Sequence, residues 1–369
     1  MQLNHLSILN FKNIRQADLT FSPKANLILG MNGEGKTNLL DAIHLLSLCK
    51  SAIGTPDNLL INHDEQLAIL QGSYTHDDGT PETIHLGLRR GAPKTLRRGA
   101  KPYRRLAEHI GLIPLVIVTP ADQQLISGTS EDRRRFLDLV ISQYNRPYLE
   151  SLLRYNKALQ QRNTLLRQPA EPDPALLSLW EEQMSSQAQY IYETRTRFVQ
   201  DLIPHFDRIH RLLTQNNEPA TLTYQSHLQR QPLLPQLIDS RSRDRALGYT
   251  LHGIHRDDLV MNLNGHPIRR EGSQGQNKTY LLALKLAQWH HLQQAAHTTP
   301  ILLLDDIFDK LDAQRVEHIV RHVTAPPYRQ IFITDTNRQD ILHLVSPLTQ
   351  PCAVFNVTQG EITAEDQTL

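Results

Sequence analysis

The stretch of the sequence with the clearest chemical meaning reads GMNGEGKT and covers residues 30–37. Its pattern, G-x-x-x-x-G-K-[ST], is typical of loops that bind polyphosphate, because glycines let consecutive backbone amides face inward and the helix that follows adds its positive end. Lys36 would reach the β- and γ-phosphates, while the Thr37 hydroxyl would bind magnesium. We therefore expect ATP with Mg2+ as the ligand. The expected contact residues are Gly30, Met31, Asn32, Gly33, Glu34, Gly35, Lys36 and Thr37.

Two adjacent carboxylates, Asp305 and Asp306, follow four apolar residues at 301–304. Such a run predicts a buried strand, and ligands bind at the carboxyl ends of strands in parallel sheets. We expect Asp305 to bind magnesium together with Thr37. We expect Asp306 to orient a water molecule and accept its proton, so Asp306 and Lys36 are the candidate catalytic residues. The alternative is an acidic helix cap after a core strand.

A third element reads EGSQGQNKT at residues 271–279 and precedes a leucine-rich segment with helical spacing. A loop of small residues that opens a helix can bind phosphate. Alone, this segment is interpreted most simply as the turn at a helix start. Together with the phosphate loop and the double-aspartate strand it becomes a specific signal, carried by Ser273, Gln274, Gly275 and Gln276.

The elements around these motifs alternate between strands and helices at both ends of the chain. Strands are predicted at 27–29, 67–74, 84–89, 301–304 and 331–333, with further strand character at Leu251 and at 259–263. Residues 276–296 and 312–323 have helical character. Short apolar strands that alternate with helices predict a largely parallel, buried sheet. The pair 67–74 and 84–89, joined through Asp78 and Gly79, predicts an antiparallel side sheet.

The middle of the chain has a different character. From about residue 131 the strand signals disappear until about residue 220, and apolar residues recur at helical spacing. Prolines at 169, 172 and 174 break this helical region into two arms, which we expect to be short and packed. We therefore predict an α/β fold with one domain built from both chain ends, residues 1–125 and 250–369, and an inserted helical domain, residues 126–249.

Composition narrows the possible classes of protein. The chain has 369 residues, 39 basic and 38 acidic side chains, a formal charge of +1 and two cysteines. No apolar stretch approaches the roughly 18 residues that cross a bilayer, so a membrane-spanning protein is excluded. Two cysteines cannot form a disulfide framework, which favours the reducing cytosol. The near-neutral charge means that any contact with DNA must be local.

One such local patch reads RRGAPKTLRRGAKPYRR at residues 89–105, with eight basic side chains and no acidic one. Basic clusters of this kind neutralise DNA phosphates, although a solvated hairpin edge is an equally good interpretation. The candidate DNA contacts are Lys94, Arg97, Arg98, Lys101, Arg104 and Arg105. A second polar segment, HGIHRDDL at 252–259, is either a turn network or an interface element.

Five passages together resemble the heads of ABC-type ATPases. In their detailed sequence they resemble the RecF family of DNA replication and repair proteins. The passages are NFKNI at 10–14, GMNGEGKTNLLDAI at 30–43, TPADQQLISGTSEDRRRFLD at 119–138, HGIHRDDL at 252–259, and GSQGQ at 272–276 with LLLDD at 302–306. They span nearly the whole chain in family order. The resemblance implies that the α/β domain is an ABC-type P-loop ATPase head.

The resemblance also implies a mechanism. In an ATP-dependent homodimer, Ser273 to Gln276 of one subunit would complete the nucleotide site of the other. Such a protein binds gapped DNA at the junction of single and double strands, works with RecO and RecR, and promotes RecA loading. Slow hydrolysis resets the dimer. Asp309 and Lys310 depart from the family pattern after the double aspartate. The strand after the next helix ends in Thr334, Asp335 and Thr336, without the switch histidine that transporter ATPases have there.

Other classes of ATPase share the three phosphate-site motifs. An ABC transporter subunit is the main alternative, but the absent switch histidine and the basic patch argue against it. A chromosome ATPase with long coiled arms would need a longer and more periodic middle segment than this chain has. The chain is accordingly expected to act mainly as an ATP-switched DNA-binding protein in the cytosol, with weak DNA-dependent ATPase activity.

Overall fold

The structure is a computed structural model that describes residues 1–215, 218–307, 313–336 and 351–365. The chain divides into two compact units, residues 1–122 with 288–369, and residues 123–287. The first division lies close to residue 125, where the sequence analysis placed it. The second lies well beyond residue 249, because the strands at Ala220–Gln225 and Asp258–Leu263 contact the helices of the insert.

The strands and helices are numbered here in chain order. The strands are β1 (Gln2–Phe11), β2 (Ile14–Thr20), β3 (Ala25–Leu29), β4 (Leu67–Thr75), β5 (Pro81–Arg89), β6 (Thr95–Arg98), β7 (Lys101–Pro102), β8 (Leu115–Val118), β9 (Ala220–Gln225), β10 (Asp258–Leu263), β11 (His266–Pro267), β12 (Ile301–Leu304), β13 (Ile331–Asp335), β14 (Cys352–Thr358) and β15 (Glu361–Ala364). The helices are α1 (Lys36–Leu48), α2 (Gln124–Ser127), α3 (Ser130–Ser142), α4 (Arg146–Leu166), α5 (Pro174–Thr214), α6 (Leu233–Leu247), α7 (Ile268–Glu271), α8 (Gln274–Ala296) and α9 (Ala313–Thr324).

The first unit contains the predicted antiparallel side sheet, with strand order β2-β1-β4-β5-β6-β7. Strands β4 and β5 alternate buried and exposed residues along most of their length, as a sheet with one solvated face requires. The turn between them contains Gly79 with φ +87°, a conformation that favours glycine. The predicted hairpin is therefore confirmed.

The second sheet of this unit has the order β15-β14-β3-β13-β12-β8 and is parallel except at β15. Strands β3, β8 and β12 are buried along their whole length, because helices or other strands cover both faces. The carboxyl ends of β3, β12 and β13 lie side by side in register. Loops that follow these three strands therefore meet at one edge.

Helix α1 lies at the centre of the first unit. It contacts β1, β4 and β5 of the side sheet and β8 and β13 of the parallel sheet. Its leucines are fully buried, and the core cluster extends from both sheets around it. Because α1 starts directly after the phosphate loop, the core fixes the position of that loop.

The second unit consists of the helical insert and a small antiparallel sheet of order β11-β10-β9. Helices α4 and α5 pack against each other, and α5 is 41 residues long. The expectation of short arms was therefore wrong, because α5 continues through Pro204. Residues 259–263 form a strand as expected, but they pair with β9 rather than joining the parallel sheet. Leu251 is not in a strand, so that expectation was wrong. None of the described helices is both long and apolar enough to cross a membrane.

Candidate functional site

The loop between β3 and α1 is built around glycines that another residue could replace only with backbone strain or a steric clash. Gly33 and Gly35 have φ of +86° and +120°, in the left-handed region. A Cβ on Gly30 would lie 2.3 Å from the Val357 carbonyl oxygen. The loop therefore curls tightly between its neighbours, as the phosphate-loop interpretation requires.

Lys36 is the first residue of α1, and its side chain is only 3 % exposed. Its Nζ donates to the carbonyl oxygens of Gly30 at 2.7 Å and Met31 at 3.1 Å. The Asp306 Oδ1 atom lies 3.9 Å away. The ammonium group is thus held inside the curl of the loop, where a buried cation requires an acceptor or an anion.

Thr37, Asp305 and Thr334 form a chain of hydrogen bonds across the edge of the parallel sheet. The Thr37 hydroxyl donates to the Asp305 carboxylate, with 2.9 Å to Oδ2, and the Thr334 hydroxyl donates to Oδ1 at 2.8 Å. Burial raises the pKa of Asp305 above its usual value, although both hydroxyls and the Lys36 ammonium counteract this effect. The predicted partners Thr37 and Asp305 are therefore in direct contact.

Asp306 occupies the next position, with its backbone in the left-handed region at φ +46°. Its N–H donates to the Thr334 hydroxyl at 2.9 Å, and its side chain is partly exposed. This geometry turns the Asp306 carboxylate out of the sheet toward the Lys36 ammonium. Asp305 and Asp306 therefore lie beside Thr37 and Lys36 of the glycine loop.

Comparison with known proteins decides the family of the chain. An AAA-domain family model matches residues 5–79, which include the phosphate loop. The DNA replication and repair protein RecF of Phocaeicola vulgatus is 50 % identical over 98 % of this chain and 98 % of its own length. RecF of Parabacteroides distasonis is 51 % identical over 98 % and 99 %. The chain belongs to the RecF family of DNA replication and repair proteins.

Solved structures agree with this assignment. A structure described as the recombination mediator protein RecF-ATP in the RecFOR pathway matches with a TM-score of 0.88 and 28 % identity, covering 99 % of this chain and 97 % of that one. An SMC head bound to the C-terminal winged-helix domain of ScpA has a TM-score of 0.61 at 14 % identity, which shows the shared fold alone. The transporter-subunit alternative is not favoured by these relatives.

Residues 273–276 lie at the start of α8, with Ser273 directly before its first residue, Gln274. The Ser273 hydroxyl accepts from the Gln276 N–H at 3.2 Å, and the Gln276 side chain accepts from the Ser273 N–H at 2.8 Å. This reciprocal pair is a capping box, so the simple interpretation as a helix-start turn is correct as far as local structure goes. Ser273 and Gln274 remain exposed, and the first amides of a helix have no intrahelical acceptor. The start of α8 is thus open to solvent.

The basic run at 89–105 divides into two groups of side chains. Arg98 Nη2 lies 2.6 Å from Glu82, and the Lys94 ammonium donates to the Cys49 carbonyl at 2.6 Å and to Asp57 at 2.9 Å. Arg105 lies 3.5 Å from Glu108. Within the described part of the chain, three exposed members of the predicted DNA set have no ion pair: Arg97, Lys101 and Arg104.

The segment HGIHRDDL forms a turn network in the second unit. The Arg195 guanidinium donates to the Ile254 carbonyl at 2.9 Å and to Asp257 at 2.8 Å, and Arg133 lies 2.6 Å from Asp258. Burial lowers the pKa of His255 to about 3. The interpretation of this segment as a turn network is therefore confirmed.

Sequence reasoning missed two residues that contact the site. Thr334 is the last but one residue of β13 and contacts Asp305, and the rule that ligands bind at the carboxyl ends of parallel strands could have identified it. Asn13 donates to the Glu34 carbonyl of the phosphate loop at 2.9 Å. Its local sequence carries no sign of this contact, which joins residues far apart in the chain. Asp309 and Lys310 lie outside the described residues.

Proposed function

We propose that this chain is an ATP-switched DNA-binding factor of replication and repair. Two copies bind ATP with Mg2+, close on gapped DNA or on a junction of single and double strands, and help RecO and RecR to load RecA. Slow hydrolysis then resets the dimer. The observation that carries the proposal is the glycine-curled loop at 30–37 with its Thr37 hydroxyl in contact with Asp305. The relatives named RecF and the RecF-ATP structure support it.

The residues of the loop fit a triphosphate and a magnesium ion. Lys36 is buried among backbone carbonyls and 3.9 Å from a carboxylate, so a phosphate oxygen would be a better partner than either. Bound magnesium would neutralise phosphate charge, and Thr37 and Asp305 supply the oxygen ligands it prefers. Because burial raises the pKa of Asp305, a cation at this position would also stabilise its carboxylate form.

The exposed start of helix α8 supports a composite site in a homodimer. Ser273, Gln274, Gly275 and Gln276 present the amino-terminal end of a 23-residue helix, and the positive end of a helix favours phosphate. The Ser273 hydroxyl accepts from an amide and keeps its own proton for donation. This segment of one copy would complete the site formed by residues 30–37 and Asp305 of the second copy.

Hydrolysis is proposed to be slow. Asp306 is the carboxylate placed to orient an attacking water and accept its proton, beside Lys36. Strand β13 ends in Thr334 and Asp335, followed by Thr336, and none of these three residues is the histidine that transporter ATPases have at this place. Turnover would therefore lack one group that assists it in transporter ATPases, and the ATP-bound state would persist on DNA.

DNA is proposed to meet the basic hairpin of β6 and β7 through Arg97, Lys101 and Arg104. Each is exposed, and none has a carboxylate partner among the described residues. Lys94 and Arg98 instead stabilise the hairpin through Asp57 and Glu82. A cationic side chain without an ion-pair partner can bind a DNA phosphate and release the counterions condensed on the DNA. A cationic side chain that is already paired must first break its ion pair.

One binding experiment tests the proposed function. The affinity of the full chain is measured for gapped, duplex and single-stranded DNA of equal length, with and without ATP and Mg2+, at several salt concentrations. The expected result is tighter binding with ATP, strongest on gapped DNA, and a steep loss of affinity with salt. Equal affinity with and without ATP would overturn the switch, and no salt dependence would overturn phosphate recognition.

A further inference from the structure

Two turns from opposite ends of the chain meet at one carbonyl oxygen of the phosphate loop. The Glu34 carbonyl accepts from Asn13 Nδ2 at 2.9 Å and from the Gly360 N–H at 2.8 Å. Asn13 lies in the turn between β1 and β2, and Gly360 lies in the turn between β14 and β15. The Gln359 N–H also donates to the Glu34 carboxylate. Glu34 is therefore held from two sides by distant parts of the sequence.

These contacts leave little room for rearrangement. Asn13 Oδ1 accepts from Asn38 Nδ2 at 2.7 Å, which fixes the orientation of the Asn13 amide. A Cβ on Gly35 would lie 2.8 Å from Asn13 Nδ2. A Cβ on Gly360, whose φ is +84°, would lie 2.1 Å from the Asn13 carbonyl oxygen. Both glycines allow the close approach that the two hydrogen bonds need.

The peptide bond between Glu34 and Gly35 transmits this constraint to the inside of the loop. In a planar trans peptide the C=O and N–H groups point in opposite directions. Anchoring the Glu34 carbonyl on the outer side therefore turns the Gly35 N–H toward the concave side. Glycines at 33 and 35 would otherwise let this peptide rotate, since glycine adopts positive and negative φ with similar ease.

We propose that Asn13 and Gly360 are positioning residues that orient the Gly35 N–H toward the phosphates of the nucleotide. This inference rests on the proposed nucleotide site. The two residues lower the entropy that the loop would lose on binding, because the donor is already aligned before the ligand arrives. Residues near the two ends of the chain thus orient the phosphate loop before the nucleotide binds.

The test replaces Asn13 by leucine, which keeps a similar volume without a donor. ADP affinity is measured by calorimetry, and the unfolding temperature is measured without nucleotide. We expect about tenfold weaker ADP binding, the effect of one lost hydrogen bond to a loop that must then be ordered. The KM for ATP should rise by a similar factor with kcat unchanged, since the lost interaction is made in ground and transition states alike.

Two further variants make the result decisive. Asn38→Ala releases the Asn13 amide without touching Glu34 and favours helix α1, so it should fold and weaken ADP binding to a smaller degree. Asn62→Ala is the matched control, because Asn62 Nδ2 donates to the Lys12 carbonyl of the same turn at 2.7 Å but has no contact with the loop. It should leave ADP affinity unchanged.

The outcomes separate the inference from the proposed function. If the unaltered chain binds neither ADP nor ATP, the proposed nucleotide site is wrong. If the unaltered chain binds ADP, and Asn13→Leu and Asn38→Ala both bind ADP as tightly as the unaltered chain does, the positioning role is wrong. Equal losses in Asn13→Leu and Asn62→Ala would show that the turn acts only through general stability, which also overturns the role.

Discussion

Replacing Arg97, Lys101 and Arg104 by alanine removes the exposed cations of the basic hairpin that have no ion pair among the described residues. In duplex DNA each neutralised phosphate contributes about 0.9 to the slope of log affinity against log salt. If all three side chains contact phosphates, the slope should fall by about 2.7 in magnitude. At moderate salt this corresponds to a large loss of affinity, with ATP binding unaffected.

The assay is fluorescence anisotropy of labelled gapped DNA over a series of salt concentrations, in the presence of ATP and Mg2+. The control variant replaces three other exposed arginines by alanine and so removes the same amount of charge. Each of these arginines already pairs with a glutamate in its own helix. These arginines are Arg135, Arg146 and Arg321. Because both variants change the net charge equally, a difference between them reports on position. Equal slopes for the unaltered chain and the hairpin variant would refute the assignment of this surface to DNA.

Three substitutions test the electrostatics of the two units. Burial raises the pKa of Asp305, so the charge of its carboxylate lowers the stability of the fold as pH rises through that pKa. Asp305→Asn should therefore unfold at a higher temperature than the unaltered chain at neutral pH, and this difference should disappear in acid. The same variant should lose magnesium-dependent nucleotide binding. The pKa of His255 falls to about 3 on folding, so stability should drop as pH falls from about 6.5. The loss should reach ~2 kcal/mol at pH 5 and be absent in His255→Gln when urea unfolding is followed at each pH. Arg195→Met leaves the Asp138 and Asp257 carboxylates without their buried partner and should cost ~3–5 kcal/mol in the same assay, whereas a loss below 1 kcal/mol would contradict the network.

The sequence predicts the strands, the loop and the helix around residues 30–37 well because their signals are local. The strand, the glycine loop and α1 follow one another within residues 25–48, and the apolar run before Asp305 ends where the strand ends. Each of these sequence patterns depends only on the backbone geometry or the burial of neighbouring residues in the chain. The resemblance to the RecF family then relates these separate pieces to one site.

Features that depend on distant pairing were harder to predict. Residues 258–263 have the alternation of a strand, but alternation does not reveal that the partner is β9 in the insert. The buried Arg162 and Arg195 look like solvated helix charges until Glu181, Asp244 and Asp257 are placed beside them. Which hairpin cations are paired depends on such contacts as well.

The contact of Gly360 with Glu34 is the hardest of these features to predict from the sequence. It joins the phosphate loop near the start of the chain to a turn close to its end. In the structure Gln359 and Gly360 both adopt positive φ in a turn between two short strands, and of this turn the sequence shows only the glycine. It does not mark the target of that turn, because β14 reaches β3 only through the parallel pairing of the completed sheet.

The central claim is that two copies of the chain share each nucleotide, and a mixing experiment tests it most directly. Lys36→Ala damages the phosphate loop, and Ser273→Arg places a bulky cation on the segment that would face the second copy. Sedimentation velocity with ATP and Mg2+ should show monomers for each variant alone. An equimolar mixture should form dimers, because a mixed dimer contains one site in which both parts are intact. Normal dimerisation of Ser273→Arg alone, or no dimers in the mixture while the unaltered chain dimerises, would contradict the account.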